Sequence, residues 1–215
     1  MTYLQLVNKV LTRLREETVS TVSQNTYSAL IGELVNDSKR LVEDSWDWSA
    51  LRTTLTVTTT ADIFNYVLTG SGNRAKILDV INDTSNFFIE YKDAHWFNKA
   101  FLVDTPASGS PRYYTFNGVD TNGDTAVDIS PIPDGVYDLR FNSVLRTPEL
   151  ENDTDEVTIP TLPIIHFAVA FAARERGETG GQSSGELLIM AQQMLSDAIA
   201  LDAIKHPEET IYAAV

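Results

Sequence analysis

Three histidines, His95, His166 and His206, are the side chains best suited to move a proton near neutral pH. An imidazole beside a carboxylate can act as a general base, so an enzyme built on this chain would use His95 or His166 with a neighbouring Asp or Glu. The three histidines are far apart and show no metal-ligand spacing. His166 lies within an apolar run, which reads as a core histidine with its hydrogen bonds met. The stretch DTNGD, Asp120 to Asp124, offers the oxygen ligands of a calcium loop. It has Thr125 where such a loop needs glycine and Pro131 where it needs the bidentate glutamate, so a plain hairpin turn is the simpler reading. Asp153 and Asp155 could form an acid–base pair, but they stand in a polar connection with no apolar pocket to set their pKa values apart.

Motif searches add little chemistry. Cysteine is absent, which excludes disulfides, thiolate metal sites and cysteine nucleophiles and fits assembly in a reducing compartment. The chain has no Gly-x-Ser-x-Gly elbow, no His-Glu-x-x-His pair, no phosphate-binding loop and no dinucleotide glycine fingerprint. The expectation is a protein that is not an enzyme and uses neither cofactor nor metal. No basic-then-apolar leader opens the sequence, and the longest apolar run, LPIIHFAVAFAA, is too short to span a bilayer. A soluble, non-secreted protein with no membrane contact is expected.

The elements that must position these side chains fall into three parts. In residues 1–49, Thr2 can cap a helix whose face carries Tyr3, Leu4, Val7, Val10, Leu11 and Leu14. A second helix carries Tyr27, Leu30, Ile31, Leu34, Val35, Leu41 and Val42, with Lys39, Arg40, Glu43 and Asp44 mostly off the apolar stripe. Residues 50–147 read as β. RTTLTVTTT alternates, TGSGN has hairpin composition, and Asn122-Gly123 and Asp134-Gly135 are tight-turn dipeptides, while DAHWFNKAFLV suits a short helix. Residues 148–204 return to helix after an acidic connection. The run around Pro163 is apolar on nearly every side and ends near Gly177, so it should be the buried central helix. A last alanine-rich helix follows from about residue 186, and residues 205–215 form a tail. The fold this implies is α+β: a four-helix bundle formed by the N- and C-terminal helices, with an antiparallel β domain inserted between the second and third.

Two of the three tryptophans sit where helix gives way to strand, in LVEDSWDWSALRTTLTV. Trp46 and Trp48, with Leu51, are the candidate domain junction: side chains two apart do not share a helix face, so the pair should straddle the helix end and pack the root of the β insertion. The net charge is −14, and residues 148–215 hold 12 acidic and 3 basic side chains. With no Lys/Arg cluster, a phosphate-gripping surface is not indicated.

The opening LVNKVLTRLREETVSTV, the junction WDWSALR and the later IIHFAVAFAARE together resemble the head-to-tail adaptors of tailed bacteriophages, especially the tail tubular protein A type. The resemblance extends over nearly the whole chain, with the Trp-x-Trp junction its most distinctive part. It implies a virion protein of the head–tail junction, assembled in the host cytoplasm as a homo-oligomeric ring, a dodecamer, between the portal protein and a tail or nozzle protein. DNA would pass through during ejection without specific binding, and the C-terminal tail, with Ile211, Tyr212 and Val215, is the candidate portal contact. The alternative is a tail or baseplate binding module whose β domain recognises a host surface or carbohydrate, with Trp96, Tyr113 and Tyr114 as stacking residues.

Overall fold

The structure, a computed structural model, describes residues 1–177 and 184–205. In chain order the elements begin with α1 (Tyr3–Arg13), α2 (Thr26–Ser45) and a single 3₁₀ turn at Ser49–Leu51. Five strands follow: β1 (Arg52–Thr58), β2 (Asn65–Val67), β3 (Lys76–Asn82), β4 (Phe87–Phe88) and β5 (Glu90–Tyr91). Next are α3 (Ala94–Asn98), which runs on as a wider turn over Lys99–Val103, then β6 (Tyr113–Val119), β7 (Thr125–Ser130) and β8 (Asp138–Val144). The last two helices are α4 (Thr161–Glu175) and α5 (Ser184–Ala203). The chain divides into two compact units, one of Met1–Leu51 with Thr147–Val215 and one of Arg52–Arg146.

In the helical unit both N-terminal helices start on reciprocal caps. Thr2 and Gln5 bond each other's backbone N–H at the head of α1, and Asn25 and Ser28 do the same for α2. The apolar face of α1 buries Tyr3, Leu6, Val7, Val10 and Leu11. Tyr3 crosses α2 at Gly32, where an added Cβ would collide with the Tyr3 hydroxyl and meet Val22 Cγ1 at 2.8 Å. As the sequence implies, α4 is buried along most of its length, from Pro163 to Ala173, and it packs against α1, α2 and α5. It ends at Gly177, whose φ of 63° gives the left-handed residue that closes a helix.

The four-helix bundle expected from the sequence is not what forms. The fold is α+β, but its five helices do not arrange as a bundle beside the two four-stranded sheets. The physical reason lies in what covers α2 and α5. One stretch of α2 carries Asn36, Lys39 and Glu43, all buried, and receives the extended chain at 147–150 rather than another helix. Asn36 Nδ2 donates to Leu150 O at 3.1 Å and Leu150 N donates to Asn36 Oδ1 at 2.9 Å, an amide standing in for a paired strand. Lys39 Nζ lies 3.1 Å from Glu43 Oε1 and donates to the carbonyls of Thr147 (3.2 Å) and Pro148 (2.8 Å). Thr147 Oγ1 in turn donates to Glu43 at 2.5 Å. Helix α5 packs on α4 and fully buries only Ala191, Ala198 and Asp202. Its alanines permit the close approach to α4, but the sequence places it in a bundle core that the structure does not form.

The β unit holds two sheets, ordered β1-β8-β3-β4 and β2-β7-β6-β5, around one core of Leu68, Val80, Ile89, Tyr114, Val127, Ile129, Leu139 and Phe141. All its pairs are antiparallel except β5 with β6, which is parallel, so the insertion is not purely antiparallel. Asn122-Gly123 closes the β6–β7 hairpin, with Gly123 at φ 84°. The TGSGN stretch makes no hairpin, because β2 and β3 belong to different sheets. The same is true of β7 and β8 across Asp134-Gly135.

The buried pair on α2 gives a direct test. Lys39→Met breaks the buried ion pair and strips the carbonyls of Thr147 and Pro148 of their donor, and should destabilise the protein by about 3–5 kcal/mol. Lys39→Met combined with Glu43→Leu should recover much of that loss, as read by urea denaturation.

Candidate functional site

The end of α2 is where sequence and structure place the most specific chemistry. With no basic residue in its last turn, the helix needs other donors for its final carbonyls. The Trp48 indole supplies one, Nε1 donating to Val42 O at 2.7 Å, and Ser45 Oγ reaches the same carbonyl at 2.7 Å. Trp48 is 1% exposed and Leu51 is buried. Trp46 caps the helix in an extended conformation and is half-buried. Its Nε1 donates to Asp202 Oδ2 at 3.2 Å.

Asp202, near the end of α5, collects the remaining donors of this elbow. Its carboxylate accepts from Ser49 N (2.9 Å), Ser49 Oγ (2.5 Å) and Lys205 Nζ (3.0 Å) as well as from Trp46. Burial by itself would raise its pKa. The bonds from the Ser49 hydroxyl and amide and from Lys205 outweigh it and pull the value down to about 2. Sequence reasoning selected Trp46, Trp48 and Leu51 and missed Asp202, which looks like one more acid on a solvated helix. A signal was present: Asp202 follows Ala191 and Ala198 at the seven-and-four spacing of the buried stripe. Lys39 was likewise assigned to the surface, although Val35, Lys39 and Val42 share the i, i+4, i+7 pattern of one face.

The other candidates serve the backbone. Asp120 Oδ1 accepts from the amides of Asn122 and Asp124, each at 2.8 Å. Asp124 accepts from Gly72 (2.9 Å) and Gly70 (3.0 Å), which lowers its pKa. Asp153 holds the Val22 amide at 3.0 Å, and Asp155 holds Asn152 and Glu151, again with a lowered pKa. Among the described residues no His, Asp and Glu come together as a metal-binding group. His95 is exposed on α3, and His166 is half-buried rather than sealed in the core. Desolvation, then the charge of Arg13, lowers the pKa of His166. His206 and the proposed contact residues Ile211, Tyr212 and Val215 lie outside the described residues.

Of the three stacking candidates, Tyr114 is buried in the sheet core against Phe141 and offers no face to a sugar. Trp96 sits edge-on to Tyr113 with ring centroids 4.8 Å apart. No helix among the described residues is long and apolar enough to cross a membrane.

Compared with models of known protein families, the chain matches the SU10 adaptor protein over residues 1–211. No curated protein matches it.

Two measurements test the elbow. Trp48→Ala should cost about 3–5 kcal/mol in a denaturant melt, and the half-buried Trp46→Ala should cost less. Because the folded pKa of Asp202 lies below the ordinary carboxylate value, the stability it contributes is present above pH of about 4 and lost as pH falls toward about 2. The stability gap between the natural protein and Asp202→Asn should therefore narrow over that window.

Proposed function

The chain belongs to the SU10 adaptor protein family, and we propose that it is a structural, non-enzymatic adaptor at the head–tail junction of a tailed phage. In this reading its copies, assembled in the host cytoplasm, close into a ring, a dodecamer, seated between portal and tail or nozzle protein. DNA passes through the opening during ejection, and the C-terminal segment carrying Ile211, Tyr212 and Val215 meets the portal.

The observation that carries the oligomeric part is the outer surface of α5. Ile189, Leu201 and Ile204 are 68%, 69% and 76% exposed, on or just past a helix that buries only three residues of its own subunit. Covering such side chains contributes roughly 1.5–3 kcal/mol each. Leu201 and Ile204, three residues apart at the end of α5, leave neighbouring apolar surface of the kind that packs against another protein. A face of one copy that packs on a different face of the next makes a heterologous contact, which closes into a ring when the rotation allows. The charge supports passage rather than capture of DNA. With a net charge of −14, the average long-range force on a duplex is repulsive.

Two experiments test this reading. Leu201→Glu with Ile204→Glu should leave the circular dichroism spectrum and melting of the subunit nearly unchanged and abolish assembly in sedimentation velocity. Undiminished assembly would remove α5 from the interface. At about 0.15 M salt, where the screening length is about 8 Å, the protein should not retain duplex DNA. Sub-micromolar, steeply salt-dependent binding would overturn the passive-conduit reading.

A further inference from the structure

The chain crosses from the helical unit to the β unit at Leu51 and returns at Thr147. On the helical side each crossing is held by buried charge. The return is held by Lys39 and Glu43, whose bonds to residues 147 and 148 lie deep in the unit. The outgoing crossing is held by Asp202, and this clamp differs in one respect. It is anchored at the very end of α5, one turn from where the chain runs on into its last ten residues.

Between Leu201 and Lys205 only Asp202 is buried. Leu201 and Ile204 are largely exposed, so no buried apolar side chain fastens this last turn. What fastens it is one carboxylate, bonded to the amide and hydroxyl of Ser49 and to the Trp46 indole. The fourth donor, Lys205, has a side chain 63% exposed and also reaches Ser49 Oγ at 3.2 Å. An apolar contact resists solvent, whereas a set of directional bonds that ends in an exposed lysine can be exchanged for other partners. We propose that Asp202 is a releasable latch. Force or binding on the chain beyond Lys205 draws the ammonium away, loosens the carboxylate from Ser49, and frees the Trp46–Leu51 turn that leads directly into β1. The C-terminal segment is thereby coupled to the outgoing crossing, and the portal as the agent that draws it rests on the reading above.

Hydrogen–deuterium exchange on the full-length protein tests the latch. In Asp202→Asn, amides of residues 46–51, Ser49 above all, should exchange about tenfold faster, since a charged acceptor is lost. In Lys205→Met, which alters an exposed side chain and leaves the core untouched, the same amides should exchange about threefold faster. Amides of α1 and β8 should keep their rates in both variants. Unchanged exchange at 46–51 in Lys205→Met, or an equal rise across the whole helical unit, would overturn the proposal. Adding portal to the natural protein should accelerate exchange at 46–51. Portal binding without that change would overturn the coupling and leave the adaptor reading intact. Absence of portal binding would count against the adaptor reading, and the latch would then stand or fall on the two variants.

Discussion

A backbone laid against a helix must find partners for its own amides and carbonyls, and the helical unit meets this demand with buried polar side chains on α2. Asn36 takes both polar groups of Leu150, and Lys39 takes the carbonyls of Thr147 and Pro148 while paired to Glu43. Removing two charges from water is costly, and the pair recovers part of that cost in its mutual contact and in three bonds to the returning chain. Asn8 on α1 repeats the device by bonding both backbone groups of Val19, at 2.9 and 2.8 Å. The return path of residues 147–150 is thereby set. From there the acidic connection reaches the start of α1, where Tyr3 N and Leu4 N donate to the carbonyls of Asp155 and Asp153. The N-terminal helix is closed against residues about 150 positions away.

This use of polar groups explains which parts of the fold could be read from the sequence. The capped, periodic apolar face of α1, the apolar run of α4 that stops at Gly177 and the Asn-Gly hairpin of β6–β7 are local features, and the structure has them where the residues imply. The bundle was not legible, because its exclusion depends on a non-local event: an extended segment more than 100 residues downstream occupies the face of α2 that a helix would have needed. Lys39 and Glu43 look like solvated charges until their partners, most of which are backbone carbonyls with no sequence signature, are in place. Sheet membership was illegible for a similar reason. Turn composition at 69–73 marks a reversal but cannot say that the two strands it separates pair with β7 and β8 instead of each other.

The candidate site shows the same division. Trp46 and Trp48 stood out by type and position, and Trp48 turns out to cap the helix it follows. Asp202, which organises the turn beyond them, carries no motif; its role arises from four donors that folding brings together. A carboxylate rather than an apolar side chain holds the end of α5, where Leu201 and Ile204 stay exposed. The subunit therefore carries apolar surface that its own fold does not cover.

The claim at the centre of this account is that the chain works as a ring seated on a portal. Electron microscopy of the purified protein, alone and mixed with its cognate portal, addresses it most directly. The account predicts closed rings of uniform diameter stacked coaxially on the portal with an open axial channel. Portal particles that remain bare beside dispersed single subunits would contradict it.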